Sequence, residues 1–312
     1  MINQALVIGA TGGTGAAITA ELLDREIPTA VFGRNGARLK RQFNHVPVFS
    51  GDVFDEAALV TAIRTSGADT VFQCAAVPQH AVIDRQLVLA QTVINAARVT
   101  HARVIFIDGI TAFGDADGVV TERTPLHPNS QRGHVNQALY DLIFTADVDA
   151  FDRLLVRLPD YFGPTARHSS TLGSTLRGIA AHHPTFYLGS KMKSREFIYL
   201  PDAAKMIVTI AFEDRAYNQT WHIPGQVLTG HRLLHVAKQV AHTHVPVITL
   251  NRPLIGVTGI FNRDFAAVRD LYYLTQRPVL LDRQQYRAAF GAVPVTPLQA
   301  SLTTTIQAYQ QS

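Results

Sequence analysis

Seven residues, Gly9-Ala-Thr-Gly12-Gly13-Thr-Gly15, restrict what this chain can fold into more than any others. They directly follow the compact apolar run Ala5-Leu-Val-Ile8 and directly precede Ala16–Leu23, which has helical character. The spacing is G-x-x-G-x-x-G at a strand-to-helix junction. Side-chain-free positions let a backbone approach another group closely, and a helix start offers amide donors and the positive end of a dipole. A junction of this kind suits a pyrophosphate, so the loop predicts a dinucleotide site.

The residues that follow keep the same alternation. Thr29–Phe32, Val46–Phe49, Asp69–Cys74, Arg103–Ile107 and Leu154–Leu158 read as strands. Helical patterns separate the first four of these, at about 35–43, 55–65 and 84–99. Runs that are apolar on both faces and divided by helices predict a parallel, doubly wound α/β sheet. Past residue 115 the pattern loosens, with helices expected at about 137–146, 169–181, 202–213, 230–243 and 297–310. The expected division is a Rossmann domain over 1–160 and a smaller mixed substrate domain over 161–312. One strand of the second half, near Trp221–Ile223, is a candidate to return to the first sheet.

Composition narrows the class. The chain has 312 residues, 47% hydrophobic and 17% charged, as ordinary globular proteins do. A lone cysteine, Cys74, leaves no internal disulfide framework. No apolar run reaches the roughly 20 residues of a membrane helix, and the N-terminus lacks a signal-peptide pattern. The expectation is a cytoplasmic protein with no membrane partner. The formal charge is +4, and the densest basic run is Arg34–Arg41. It stands at one helix start and does not form a nucleic-acid footprint, so no nucleic-acid partner is expected.

The second strand ends in Gly33-Arg34-Asn35, where an acidic residue would accept hydrogen bonds from a ribose with a free 2′-hydroxyl. A guanidinium there suits a 2′-phosphate. The expected cofactor is therefore NADP(H), with NAD allowed, and Arg38 and Lys40 could assist Arg34. Asp52, beside Val53, could meet an adenine amino group or cap the next helix. Cys74, Ala75 and Ala76 end the fourth strand at the edge where ligands sit, and their small size lets a cofactor pass. Cys74 itself reads as a buried small hydrophobe more readily than as a reactive thiol.

Taken with Ala112-Phe-Gly114, Arg157-Leu-Pro-Asp-Tyr-Phe-Gly-Pro164 and Glu196-Phe-Ile-Tyr-Leu-Pro-Asp-Ala203, these residues resemble the short-chain dehydrogenase/reductase superfamily. Length and C-terminal half are similar to its extended or atypical branch, the NAD-dependent epimerase/dehydratase-like proteins. The resemblance implies that Gly9, Thr11, Gly12, Gly13, Thr14 and Gly15 hold the pyrophosphate, and that the substrate is a small polar or carbohydrate-like molecule.

It also implies a Ser or Thr after strand five and a Tyr-x-x-x-Lys helix, in which the lysine lowers the tyrosine pKa for proton transfer. The chain departs here. Gly109 stands at the hydroxyl position, Gly133 at the tyrosine and Gln137 at the lysine. The one literal match, Tyr187-Leu-Gly-Ser-Lys191, follows strand six and reads as a loop coincidence. Substitute acid–base groups are Asp108, Thr111, His134, Tyr140, Asp160 and Tyr161. Of these Thr111 and Tyr161 are expected to flank the nicotinamide, with Tyr140 as a third candidate. His231 and His235 share a helix face, yet neither a helix glutamate nor a cysteine joins them, so no metal is expected. Two readings follow: an atypical oxidoreductase or epimerase-like enzyme, and a non-catalytic NADP(H)-binding regulator.

Overall fold

The computed structural model describes residues 2–77, 81–116, 118–145, 151–252, 255 and 269–311. In chain order the first half contains β1 (Ala5–Ile8), α1 (Gly13–Asp24), β2 (Thr29–Gly33), α2 (Gly36–Gln42), β3 (Val48–Ser50), α3 (Glu56–Ser66), β4 (Thr70–Gln73), α4 (Val82–Thr100), β5 (Arg103–Asp108), β6 (Gly118–Val120), α5 (Gln131–Thr145) and β7 (Arg153–Arg157). The second half adds β8 (Asp160–Phe162), α6 (Thr171–Ala180), β9 (Thr185–Leu188), β10 (Ser194–Tyr199), α7 (Leu200–Ala211), β11 (Gln219–His222), β12 (Gln226–Thr229), α8 (Gly230–Val240), β13 (Val247–Leu250), β14 (Val279–Leu281), α9 (Gln284–Phe290) and α10 (Leu298–Gln310).

Two compact units are each assembled from three stretches of chain. The first comprises Met1–Asp108, Val135–Arg157 and Ala204–Trp221; the second comprises Gly109–His134, Leu158–Ala203 and His222–Ser312. The chain therefore changes unit more often than one cut near residue 160 would have it do.

The first unit is built on a seven-stranded sheet of order β11-β7-β5-β4-β1-β2-β3. β1 pairs in parallel with β2 and β4, and β5 in parallel with β4 and β7. All four side chains of β1 are buried, as strands covered on both faces require. Leu6, Ile8, Phe32, Val71, Val104 and Leu155 form one cluster with Leu59 and Ile63 of α3 and Ile94 of α4. Strand order reverses beside β1, between its neighbours β2 and β4. In open α/β sheets such a reversal opens a crevice at the carboxyl ends of the strands, where ligands bind.

The second unit has a three-stranded sheet, β12-β10-β8, and two parallel pairs, β13-β9 and β14-β6. Leu176, Phe197, Leu233, Leu302 and Ile306 join α6, β10, α8 and α10 in a shared core. Glu196 of β10 accepts from the backbone amides of Gly225 and Leu281, both at 2.7 Å, and so ties β10 to the residue before β12 and to the end of β14. Burial raises the Glu196 pKa, and these two amides oppose that rise.

Candidate dinucleotide site

The loop between β1 and α1 is a cradle that side chains would fill. Gly9 has φ +78°, in the left-handed region, and a Cβ there would lie 2.6 Å from the backbone of Ala75. A Cβ on Gly15 would lie 2.4 Å from the Gly9 carbonyl oxygen. The Gly12 amide donates to that same carbonyl at 2.9 Å, closing the turn. Gly12 also occupies the N-cap of α1, and its lack of a side chain keeps the helix start uncovered. The loops after β1 and β4 thus meet backbone to backbone at the point where strand order reverses. These features fit a pyrophosphate.

Cys74 and Ala75 lie against that loop, and the other residues read from the sequence follow β2 and β3. Arg34 is exposed just beyond β2. The Arg38 guanidinium donates to the carbonyl of Thr11 at 3.5 Å, so this second cation lies beside the glycine loop itself. Asn35, not an acid, caps α2 by accepting from the Arg38 amide at 2.9 Å. Asp55 takes the capping role on α3, accepting from the Ala58 amide at 3.1 Å. Asp52 accepts from the Phe54 amide at 3.2 Å and keeps an exposed carboxylate, while Val53 turns into the core. Gln73 holds the next loop with hydrogen bonds to both the carbonyl and the amide of Ala75, at 2.9 and 3.3 Å. Ala76 is exposed there, and burial pushes the Cys74 thiol far up, so a thiolate is disfavoured.

Gly109 and Gly133, the positions that the resemblance sets against the family's hydroxyl and tyrosine, differ in the space around them. Gly133 lies in the first turn of α5, which begins at Gln131, six residues before the expected start. A Cβ on Gly133 would be 2.7 Å from the Thr111 carbonyl oxygen, 2.9 Å from Pro128 Cβ and 3.0 Å from Ser130 Oγ. No tyrosine fits without backbone movement. Gly109, in contrast, has nothing within 4 Å of a Cβ. Two residues that sequence reading missed also reach this corner. The Tyr273 hydroxyl donates to the Thr111 carbonyl at 3.2 Å, and Asp270 accepts from the Arg132 amide at 3.3 Å. A separation of 162 residues between Thr111 and Tyr273 leaves no local sequence signal for that contact.

The candidate acid–base groups fall in both units. Asp108 ends β5 opposite Arg157 of β7; its carboxylate accepts from Asn136 Nδ2 at 2.7 Å and lies 3.6 Å from Arg157 Nε. Arg157 also covers the Tyr140 ring at 5.2 Å, so Tyr140 packs in the first unit beside Phe144. Thr111 is 7% exposed in the second unit. Asp160 is ion-paired with Arg195. The Tyr161 hydroxyl donates to the Ser169 carbonyl at 2.6 Å, and burial raises its pKa. His134 is exposed, Tyr187 is a strand residue, and Lys191 belongs to the loop beyond it.

His231 and His235 stack on α8 with ring centroids 6.3 Å apart. Among the described residues no group of three or more His, Cys, Asp and Glu side chains could hold a metal ion. His101, His182 and His242 instead take left-handed backbone angles just past helix ends. Among the described residues no helix is long and apolar enough to cross a membrane.

The sequence model of the NAD dependent epimerase/dehydratase family matches residues 5–223, a stretch that carries the glycine loop, Arg34, Asp52 and Gly109–Gln137. The chain belongs to that family. No curated protein sequence matches it. Solved structures of the same fold include the Thermus thermophilus UDP-glucose 4-epimerase in complex with NAD, at TM-score 0.77 and 16% identity over 98% of each chain. The Thermotoga maritima UDP-glucose 4-epimerase with UDP-glucose is similar at TM-score 0.78 and 16% identity, over 99% of each chain. The Streptomyces venezuelae dTDP-glucose 4,6-dehydratase with NAD and TYD bound matches at TM-score 0.77 and 17% identity, over 99% of this chain and 97% of that one. At these identities the likeness is one of fold.

Proposed function

We propose that this family member is a nicotinamide-dinucleotide-dependent oxidoreductase or epimerase-like enzyme of the atypical short-chain type. Its substrate is a small polar or carbohydrate-like molecule, and its chemistry does not run through Tyr-x-x-x-Lys. The observation that carries the reading is the pair Gly9 and Gly15, whose missing side chains keep the β1–α1 junction closed on itself and open to phosphate. Solved relatives that hold UDP-glucose or NAD support the substrate and cofactor classes.

In this reading the Gly9–Gly15 loop binds the pyrophosphate. Arg34, helped by Arg38, takes a 2′-phosphate and favours NADP(H), with NAD as the alternative. Asp52 takes the adenine amino group, and Cys74-Ala75-Ala76 give the cofactor a low wall. The bound cofactor supplies or accepts a hydride. Thr111 and Tyr161 hold the substrate oxygen, with Tyr140 the weaker third candidate because its ring is packed against Arg157. The raised pKa of Tyr161 suits a proton or hydrogen-bond donor better than a base.

Fluorescence titration with NADPH and NADH tests the cofactor arm. NADPH should bind more tightly, and Arg34→Ala should erase the difference; equal affinities in the parent protein overturn the NADP(H) assignment. A second reading, a non-catalytic dinucleotide-binding regulator, is favoured by the filled space at Gly133. NADPH- and NAD-linked turnover on a panel of sugar nucleotides and small carbonyl compounds separates the two. Turnover slowed by Tyr161→Phe or Thr111→Val supports the enzyme, while tight binding with no turnover supports the regulator.

A further inference from the structure

Two long stretches of the second unit lack acidic residues. Asp and Glu are absent from 161–195 and from 222–252. The chain holds 24 acids in 312 residues, one in thirteen, so these 66 residues would hold about five at that frequency. The same stretches supply eight lysines and arginines. Asp160, immediately before the first stretch, is engaged by Arg195.

The cations and several exposed apolar side chains fall on connected elements. β9 and β13 pair in parallel with Phe186 opposite Ile248, and each is 47% exposed. The Lys191 ammonium donates to the Val247 carbonyl, next to Ile248. The Lys191 carbonyl accepts from the His231 amide at 2.7 Å, which joins this loop to the start of α8. Burial, and then the charge of Lys238 on α8, lower the Lys191 pKa, as expected for two cations held close together. Met192 is 74% exposed between Lys191 and Lys193.

We propose that this face, Phe186, Ile248 and Met192 bordered by Lys191, Lys193 and Lys238, docks on an anionic lipid bilayer surface. The chemistry favours that occupant for two reasons. Lysines carried on stretches of chain that hold no Asp or Glu are drawn to anionic headgroups, and the attraction decays within a Debye length. Exposed Phe, Ile and Met side chains gain by entering the headgroup–acyl boundary, where a nucleic-acid backbone would leave Ile and Met in water. Surface docking needs no membrane-spanning helix. It is also independent of the dinucleotide loop, which lies in the first unit.

Flotation of the full chain with vesicles tests this. Phosphatidylcholine vesicles should bind weakly, and mixed phosphatidylcholine/phosphatidylserine vesicles at least tenfold more tightly, with binding lost as salt rises. Lys191→Glu combined with Lys238→Glu should remove at least tenfold of that binding. Met192→Ser, at a fully surface position, should weaken it about threefold and keep the thermal midpoint of the parent. No binding to anionic vesicles, or equal binding to the two lipid compositions, overturns the proposal. So does charge-reversed protein of parental stability that floats as the parent does, and so does binding to duplex DNA with none to vesicles.

Discussion

Restoring a side chain at Gly133 should cost stability, although the same change at most helical glycines gains it. Glycine to alanine inside a helix ordinarily stabilises by about 1 kcal/mol. At Gly133 the new Cβ would lie 2.7 Å from the Thr111 carbonyl oxygen and 2.9 Å from Pro128 Cβ, neither of which is the free end of a flexible chain. Overpacking of this kind costs about 1–3 kcal/mol. The two effects together predict that Gly133→Ala is destabilised by up to about 2 kcal/mol. Gly109→Ala supplies the control. Its Cβ meets nothing within 4 Å and its φ is not left-handed, so it should be neutral or stabilised by about 0.4–1 kcal/mol. Urea unfolding at constant slope reads both values. Refutation would be Gly133→Ala at or above parental stability, or a Gly133→Tyr, Gln137→Lys double variant that folds as well as the parent. Either result would mean that the tyrosine position is merely vacant.

Asp108→Ala should cost about 3–5 kcal/mol, because Arg157 is 1% exposed and would keep a buried charge without its carboxylate; thermal and urea unfolding check it, and a loss under 1 kcal/mol would place water in that pair. Cys74 should be alkylated by iodoacetamide much more slowly in the folded chain than in urea at pH 8. The sign follows from its raised folded pKa: at pH 8 the unfolded thiol is ionised in part, whereas the native thiol stays protonated, and protonated thiols do not attack. Equal rates in the two states would contradict that burial.

Much of the first unit was legible because parallel strands buried on both faces leave uninterrupted apolar runs, such as Ala5–Ile8 and Val104–Ile107, and because glycine spacing records where a Cβ cannot stand. The glycine turn between β1 and α1 was legible for the same reason. The short strands of the second unit were not: β9, β12, β13 and β14 have three or four residues each, too few for a period to show. The start of α5 at Gln131 was missed because Gly133 reads as a helix breaker, although its hydrogen is what lets the first turn pack on Thr111. Nor could the sequence tell that Tyr161 gives its hydroxyl to Ser169, that Asp160 meets Arg195, or that Tyr273 reaches Thr111. Those partnerships are set by tertiary packing, and residue type alone does not reveal which polar side chains remain available for chemistry.

The most direct test of the central claim is calorimetric titration of NADPH and NAD into the parent chain and into Gly12→Ala. Gly12 has an ordinary φ of −80°, and its new methyl would lie 3.2 Å from the Gly9 carbonyl, so the variant should fold with little change. The methyl would nonetheless cover the start of α1. Binding to the parent and at least tenfold weaker binding to the variant is the predicted result. A parent that binds neither nucleotide, or a folded Gly12→Ala that binds as tightly as the parent, would contradict it.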